Sequence, residues 1–484
     1  MPFAATLGAL LGATGHDDAL VVAGLTADSR NTAPGFLFFA IAGSKADGAR
    51  FIPDALARGA VAVVGEGERP TDLPEAIAWR RVPNARLALA QAAARLHPRQ
   101  PETIVAVTGT AGKSSVADFF RQIAGALGAR AASIGTLGVV TTDGAVYGSL
   151  TTPDPVALHE TLDALAGVGI ARVAMEASSH GLDQYRLDGV RLSAAAFTNL
   201  GRDHLDYHVT MEAYLEAKLR LFAELLPPGA PAIVNADGDY ADQAARAIVA
   251  AGRALVSVGM KGEWINLAAR RVEGGGQRLT LFHEGREYDV LMPLIGDFQA
   301  ENALVAAGLA IATGSEPEQV FAALEGLKGV PGRLEAVSEA RGALCVVDYA
   351  HKPEALAHAL EALRPFTRGR LVCVFGCGGD RDPGKRPIMG RIAAERADLV
   401  VVTDDNPRNE EPATIRAAIL AAAPGAREIG DRAQAIREAV SGLRDGDVLL
   451  VAGKGHETGQ IVGDRILPFS DHEAVRAAVA ELTA

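Results

Sequence analysis

A strand that runs straight into a glycine loop and then a helix leaves a chain few choices of fold. Residues 103–107, TIVAV, read as such a strand, and Thr108-Gly109-Thr110-Ala111-Gly112-Lys113-Ser114-Ser115 follows it. A helix then begins, with Val116, Phe119, Phe120, Ile123 and Leu127 on one face and Gly128 ending it. This is the arrangement of a phosphate-binding loop. Backbone N–H groups and the helix N-terminus attract the anion. Lys113 can reach the β- and γ-phosphates, and the Ser114 hydroxyl can ligate Mg²⁺. The standard spacing has a glycine five residues before Gly112; this chain has Val107 there, so the loop is a variant.

Further apolar runs alternate with helical patterns: ARVAMEA, SAAAFTN, ALCVVDYA, RLVCVFG, DLVVVTD and DVLLVAG. Such alternation predicts parallel sheets flanked by helices, with ligands outside the carboxyl ends of the strands. Nearly every unusual polar cluster directly follows one of these runs. Two breaks, HPRQPE at 97–102 and VPGR at 330–333, divide the chain into 1–99, 100–330 and 331–484. Three domains suit 484 residues at roughly 100–200 residues each.

An apolar content of 49% with 22% charged residues excludes wholesale disorder. The net charge of −12 argues against a nucleic-acid partner, and no apolar run reaches the length of a membrane span. Three cysteines cannot make a disulfide framework and fit a reduced, cytoplasmic setting. The N-terminal stretch MPFAATLGALLGATGHDD has no basic residue and reads as a first helix rather than a signal peptide.

Glu176 ends the run ARVAMEA, and TNLGRDHLDYH carries Asp203, His204, Asp206 and His208 after the next strand. An acid and a histidine at adjacent strand ends could bind Mg²⁺ beside a nucleotide, or serve as structural hydrogen-bond partners. Thr210 reads as the N-cap of the helix MEAYLEAKLRLFAEL, whose stripe is Met211, Tyr214, Leu215, Leu221, Phe222 and Leu225. Lys218 falls inside that stripe. It either snorkels to solvent or is a desolvated amine, neutral enough to take up CO₂ as a metal-binding carbamate.

Together these segments resemble the Mur ligase family over essentially the whole chain. The resemblance rests on Thr108–Ser115, Met175-Glu176-Ala177-Ser178-Ser179-His180, the run from Asn199 to Asp206, the Lys218 helix, Asn302, Pro331-Gly332-Arg333 and Asp348-Tyr349-Ala350-His351. It implies an α/β fold of three domains: a UDP-substrate domain (1–99), a central P-loop ATPase-like parallel sheet (100–330), and a C-terminal Rossmann-like α/β domain binding the amino acid (331–484). It implies ATP and Mg²⁺ as cofactors. Lys113, Lys218 and His204 would be catalytic, with Ser114, Glu176, His204 and Lys218 at the metal and Lys218 carbamylated. Gly109, Thr110, Ala111, Gly112, Lys113, Ser114, Ser115, Asn302, Arg333 and Asp348 would hold the nucleotide. The protein is expected to be monomeric, with no membrane partner.

Within the family the chain is most similar to the MurE type, which adds a third residue to UDP-MurNAc-L-Ala-D-Glu. Ala27 and Ser29 in Thr26–Arg30, and Ser44, Lys45 and Ala46 in Gly43–Gly48, resemble its uridine-binding segments. Thr151, Thr152, Ser178, Gln184 and Arg186 match its muramoyl-peptide contacts. The chain departs from the family pattern at Leu150, Ala111 and Gln299. Asp405-Asn406-Pro407-Arg408 resembles the signature of ligases that add meso-diaminopimelate, joined by Arg381, Gly453 and Glu457. Diaminopimelate is lysine with one extra carboxylate, and a guanidinium can hold a carboxylate by two parallel bonds. The alternatives are a lysine-adding Mur ligase and, from another class, a P-loop ATP-binding regulatory switch. The switch would leave the uridine-like segments and the last domain unexplained.

Overall fold

A computed structural model describes residues 4–12, 16–43, 47–142, 144–146, 150–273 and 275–483. The chain divides into two compact units: Met1–Asn266 with Asn302–Ala323, and Leu267–Glu301 with Leu324–Ala484.

The first unit opens with a four-stranded parallel sheet, Gly24–Thr26, Phe36–Phe39, Ala62–Gly65 and Ala78–Arg81. The helix Ala85–Leu96, capped by Asn84, closes one face and buries Leu89, Ala93 and Leu96 against Leu25, Leu37 and Val64. The first helix expected over the N-terminal stretch is reduced to Leu7–Leu11, after the short strand Ala5–Thr6. Thr6 caps its start, and Gly12 at φ 88° ends it.

The larger sheet of this unit decides where a ligand goes. Its parallel strands lie in the order Ala131–Gly135, Arg172–Glu176, Thr103–Thr108, Ala194–Phe197, Pro231–Asn235 and Ala254–Gly259. Winding from Thr103–Thr108 proceeds first to one side and then, at Ala194–Phe197, to the other. This reversal opens a crevice at the carboxyl end of Thr103–Thr108, where the glycine loop stands. The helix Lys113–Ala126 packs over it, with Val116, Phe119, Phe120 and Ile123 fully buried as the spacing predicts. The helix begun by Thr210 is α-helical over Met211–Arg220 and turns π-helical over Leu221–Leu225.

The second unit holds the antiparallel hairpin Gly276–His283 and Arg286–Met292 and a six-stranded sheet. The sheet order is Glu335–Ala340, Ala343–Asp348, Val448–Ala452, Leu371–Phe375, Leu399–Val402 and Arg427–Glu428, parallel except at its first pair. Side chains alternate between two cores. Cys373, Phe375 and Leu450 enter one, and Val372, Val374, Leu449 and Val451 the other. Both faces are therefore covered, which is why these strands read as unbroken apolar runs. The three cysteines are free and buried, and burial pushes their thiols up, Cys373 to about 12. Among the described residues no helix is long and apolar enough to cross a membrane.

Arg432 and Asp471 form an ion pair with neither side chain exposed, bonded at 2.7 and 2.8 Å. Arg432 also donates to the Ala452 carbonyl at 2.9 Å, tying its helix to the edge of the site. Breaking such a pair from one side strands a buried charge. Asp471→Ala is expected to lower the unfolding free energy by about 3–5 kcal/mol in a urea titration; a loss below about 1 kcal/mol would contradict this.

Candidate active site

The glycine loop is shaped by contacts distant in sequence. At Gly109, φ 147°, a Cβ would overlap the Thr198 hydroxyl; at Gly112, φ 87°, it would overlap Asn302 Oδ1. Thr198 Oγ1 donates to the Ala111 carbonyl at 2.6 Å, and the Ala111 N–H donates to Asn199 Oδ1 at 3.0 Å. Thr110 Oγ1 accepts from the Gly201 N–H at 2.9 Å and lies 3.2 Å from the Tyr214 hydroxyl. Ala111 thus acts through its backbone. Val107 stays in the strand, in register with Glu176 and Ala196, so no glycine is required there. No side chain caps the helix Lys113–Ala126, which leaves its first-turn amides, including those of Ser114 and Ser115, facing the loop.

Two lysines meet one carbonyl. Lys113 Nζ donates to the carbonyls of Gly109 and Thr110, each at 2.9 Å, and Lys218 Nζ donates to the Gly109 carbonyl at 2.8 Å. Lys218 is 1% exposed, and its Nζ sits 4.3 Å from the centroid of the Tyr214 ring. Burial, reinforced by the positive charge of Lys113, pulls the Lys218 amine from 10.5 down to about 6. The lysine does not snorkel.

Glu176 reaches the loop from the neighbouring strand. Its Oε1 accepts from Ser114 Oγ and from the Thr136 N–H, both at 2.8 Å, and Gly135 leaves room for the carboxylate. Thr136 Oγ1 is 3.1 Å from Thr151 Oγ1, which joins the expected muramoyl contacts to the phosphate loop. Thr152 Oγ1 donates to the Glu176 carbonyl at 2.8 Å and accepts from the Ser178 N–H. Arg186 donates to the Thr152 carbonyl and to Gln184 Oε1, at 2.8 and 2.7 Å. Thr151, Thr152, Glu176, Ser178, Gln184 and Arg186 are thus one hydrogen-bonded group. His204, at φ 52°, stacks edge-on to His180 with centroids 4.8 Å apart and lies 6.2 Å from the Tyr214 ring. Ala27 and Ser29 sit at the carboxyl end of the strand Gly24–Thr26, in a turn capped by Asp28. Ser44, Lys45 and Ala46 lie outside the described residues.

In the second unit the loops after three strands converge. A Cβ on Gly376 would overlap the Thr403 carbonyl, on Gly378 the Arg408 guanidinium, and on Gly379 the Pro407 carbonyl. The glycines of GCGGD therefore exist to seat the Asp405–Arg408 loop. Arg408, at φ 52° and half-buried, donates to the Gly379 carbonyl at 2.9 Å. Arg381 is exposed and bonds the carbonyl of its neighbour Asp380. Gly453, at φ 123°, brings the chain past Asp405, and Glu457 Oε2 accepts from Asn406 Nδ2 at 3.0 Å. Arg333 lies over the Tyr349 ring. Asp348 accepts from the N–H groups of Leu334 and Ala350, and burial still pushes its carboxyl up to about 6.

Three family models match the chain: "Mur ligase family, catalytic domain" over residues 21–97, "Mur ligase middle domain" over 107–310, and "Mur ligase, glutamate ligase domain" over 332–455. The chain belongs to the Mur ligase family. A UDP-N-acetylmuramoyl-L-alanyl-D-glutamate–2,6-diaminopimelate ligase of Bradyrhizobium diazoefficiens is 61% identical over 470 residues, 96% of each chain. Its namesake from Agrobacterium fabrum is 57% identical over 96% of this chain and 94% of that one. A solved structure of a ligase with the same name superimposes at a TM-score of 0.77, with 31% identity and 99% of both chains covered. A MurF ligase from Thermotoga maritima in complex with ADP shares the fold, at a TM-score of 0.61 and 20% identity.

Several residues that build this Mur ligase site were not singled out from sequence. Thr136 and Thr198 carry no motif signal. Tyr214 does: it lies four residues before Lys218, on the same helix face. Lys454 was visible only as part of the loop around Gly453.

The depressed Lys218 pKa has a consequence for stability. Between pH 6 and 10.5 the unfolded chain holds a proton that the folded chain has lost, so folding stability rises with pH across that window. The slope for one proton is at most about 1.4 kcal/mol per pH unit. Lys218→Met removes it. Urea unfolding at pH 6.5 and 8.5 should show the variant gaining on wild type as pH falls; a pH-independent difference would contradict the assignment.

Proposed function

We propose that the chain is an ATP-dependent ligase joining meso-2,6-diaminopimelate to UDP-N-acetylmuramoyl-L-alanyl-D-glutamate, in peptidoglycan precursor synthesis. The observation that carries this reading is a conjunction. A phosphate loop with a buried, neutral lysine beneath it accompanies an Asp405–Arg408 loop suited to a charged amino acid, in a chain 61% identical to a ligase of that name. Residues 1–99 would bind the UDP substrate, 100–330 ATP, and 331–484 the amino acid, in a monomeric cytoplasmic protein.

The chemistry takes two steps. An oxygen of the substrate carboxylate attacks the γ-phosphorus of ATP, giving an acyl phosphate and ADP. The amine of diaminopimelate then attacks the acyl carbon, and the tetrahedral intermediate expels phosphate and releases a proton. Lys113 stands where it can leave the Gly109 and Thr110 carbonyls for the transferring phosphate, whose charge it would offset. Asn302, whose amide oxygen lies against Gly112, would help shape the loop that holds the nucleotide.

The donor set fits Mg²⁺ in a particular way. Ser114 Oγ and the Glu176 carboxylate, bonded to each other, would supply hard oxygens and His204 a nitrogen, while no group of three or more His, Cys, Asp or Glu is gathered for a metal among the described residues. A small hard cation that keeps waters and takes phosphate oxygens needs few protein ligands. When bound, Mg²⁺ would draw charge from the phosphate oxygens. A carbamate on Lys218 would add the anion that the neutral amine lacks, next to the Lys113 ammonium.

The test is an amino-acid panel with UDP-MurNAc-L-Ala-D-Glu and ATP, read by product mass for wild type and Arg408→Ala. Wild type is expected to add diaminopimelate and to add lysine poorly. Arg408 is half-buried, so loss of its charge-assisted bonds should lower diaminopimelate use roughly tenfold to a hundredfold. A panel in which wild type prefers lysine overturns the substrate assignment.

A further inference from the structure

Lys454 is the feature of the second unit that the proposed function leaves unused. It is a lysine with 0% exposure in the middle of four residues assigned to the amino acid. Its ammonium donates to Asn406 Oδ1 at 3.0 Å and to Glu457 Oε2 at 3.1 Å, and stands 3.7 Å from Asp405 Oδ1. Asn406 is then held on both sides, because its Oδ1 also accepts from the Ile461 N–H and its Nδ2 donates to Glu457 Oε2. Glu457 is pinned through one oxygen, leaving Oε1 for an incoming group. Asp405 Oδ1 is buried without a hydrogen-bond partner. An unsatisfied, buried carboxylate oxygen is costly unless something else meets it.

The charged groups around this pocket are of both signs. Asp405 and Glu457 are acids; Lys454 and Arg408 are bases. The neighbouring Arg432 and Asp471 cancel each other. Burial raises the Asp405 carboxyl, while Arg432 and then Lys454 draw it back toward ionisation. A pocket offering both acids and bases complements a group that carries an ammonium and a carboxylate together. Remove the buried base, and the same pocket becomes more negative and better suited to a lone ammonium.

We propose that Lys454 is a positioning residue that fixes Asn406 and Glu457 and balances Asp405, so that the pocket selects an amino acid with a zwitterionic distal end over one ending in an ammonium alone. This rests on the reading that the second unit binds diaminopimelate, and extends it from Arg408, which faces the carboxylate, to the charge of the whole pocket. Arg408 supplies a direct contact. Lys454 is walled off from solvent and acts through the side chains it holds.

The experiment compares specificity constants for meso-diaminopimelate and L-lysine at saturating ATP and UDP-MurNAc-L-Ala-D-Glu, in wild type, Lys454→Met and Lys454→Gln. The glutamine keeps a donor for Asn406 or Glu457 without the charge, so it stands in if the methionine variant fails to fold. Expected is a fall of roughly tenfold to a hundredfold for diaminopimelate, carried mainly by KM, with the diaminopimelate-to-lysine ratio falling at least about tenfold. KM for ATP should stay within about twofold, which a general loss of structure would not allow. An unchanged ratio, with both amino acids losing equally, overturns the proposal while leaving the ligase reading intact. Wild type adding no diaminopimelate overturns that reading, and this one with it. If neither variant folds, wild type decides through inhibition by L-lysine and by L-2-aminopimelate, which each lack one distal charge. Both should bind at least about tenfold more weakly than diaminopimelate, and lysine binding as tightly would overturn the balance.

Discussion

The Gly109 carbonyl accepts hydrogen bonds from two lysines, and much of the first unit follows from that crowding. Lys113 reaches it from the first turn of its helix, and Lys218 from beneath, 1% exposed. Two ammonium groups sharing one carbonyl in a low-dielectric site repel each other strongly. Burial does most of the work and the charge of Lys113 adds to it, so the Lys218 amine falls to about 6. The loop then carries one ammonium, Lys113, held by two of its carbonyls, and one neutral amine beneath it. Glycine at 109 is required because the Thr198 hydroxyl occupies the space of a Cβ, and that hydroxyl in turn holds the Ala111 carbonyl. Phosphate geometry, lysine chemistry and strand order are therefore one arrangement.

The second unit solves a different problem by the same means. Three glycines of GCGGD let the Asp405–Arg408 loop lie directly on a neighbouring strand end, and Gly453, at φ 123°, turns the Lys454 loop in beside Asp405. Close backbone approach replaces a large apolar pocket. A few charged groups, whose positions the backbone sets, gather where these loops meet, and the fully buried Arg432–Asp471 pair supports them.

The features legible in the sequence were those with a local period or a local motif. The strand before the phosphate loop, the buried face Val116, Phe119, Phe120 and Ile123, and the Thr210 cap are all where spacing puts them. The N-terminal stretch holds the first helix, but only over Leu7–Leu11, because Gly12 ends it. Lys218 was ambiguous for a physical reason. Periodicity shows that a lysine lies on the apolar face but not whether that face is capped. The cap here is a carbonyl 109 residues away in sequence. The bond between Ser114 and Glu176 spans 62 residues and has no local signature either, although each partner sits in a readable motif. The charge balance around Lys454 needs three loops in space at once.

A neutral amine at Lys218, under the phosphate loop, has the chemistry to take up CO₂ as a carbamate. The most direct measurement is carbon-13 NMR of the protein in ¹³C-bicarbonate near neutral pH, for wild type and Lys218→Met. A protein-bound carbamate signal is expected in wild type, lost in the variant and on acidification, when the amine is protonated. A wild-type spectrum without that signal, or a signal that survives Lys218→Met, would contradict it.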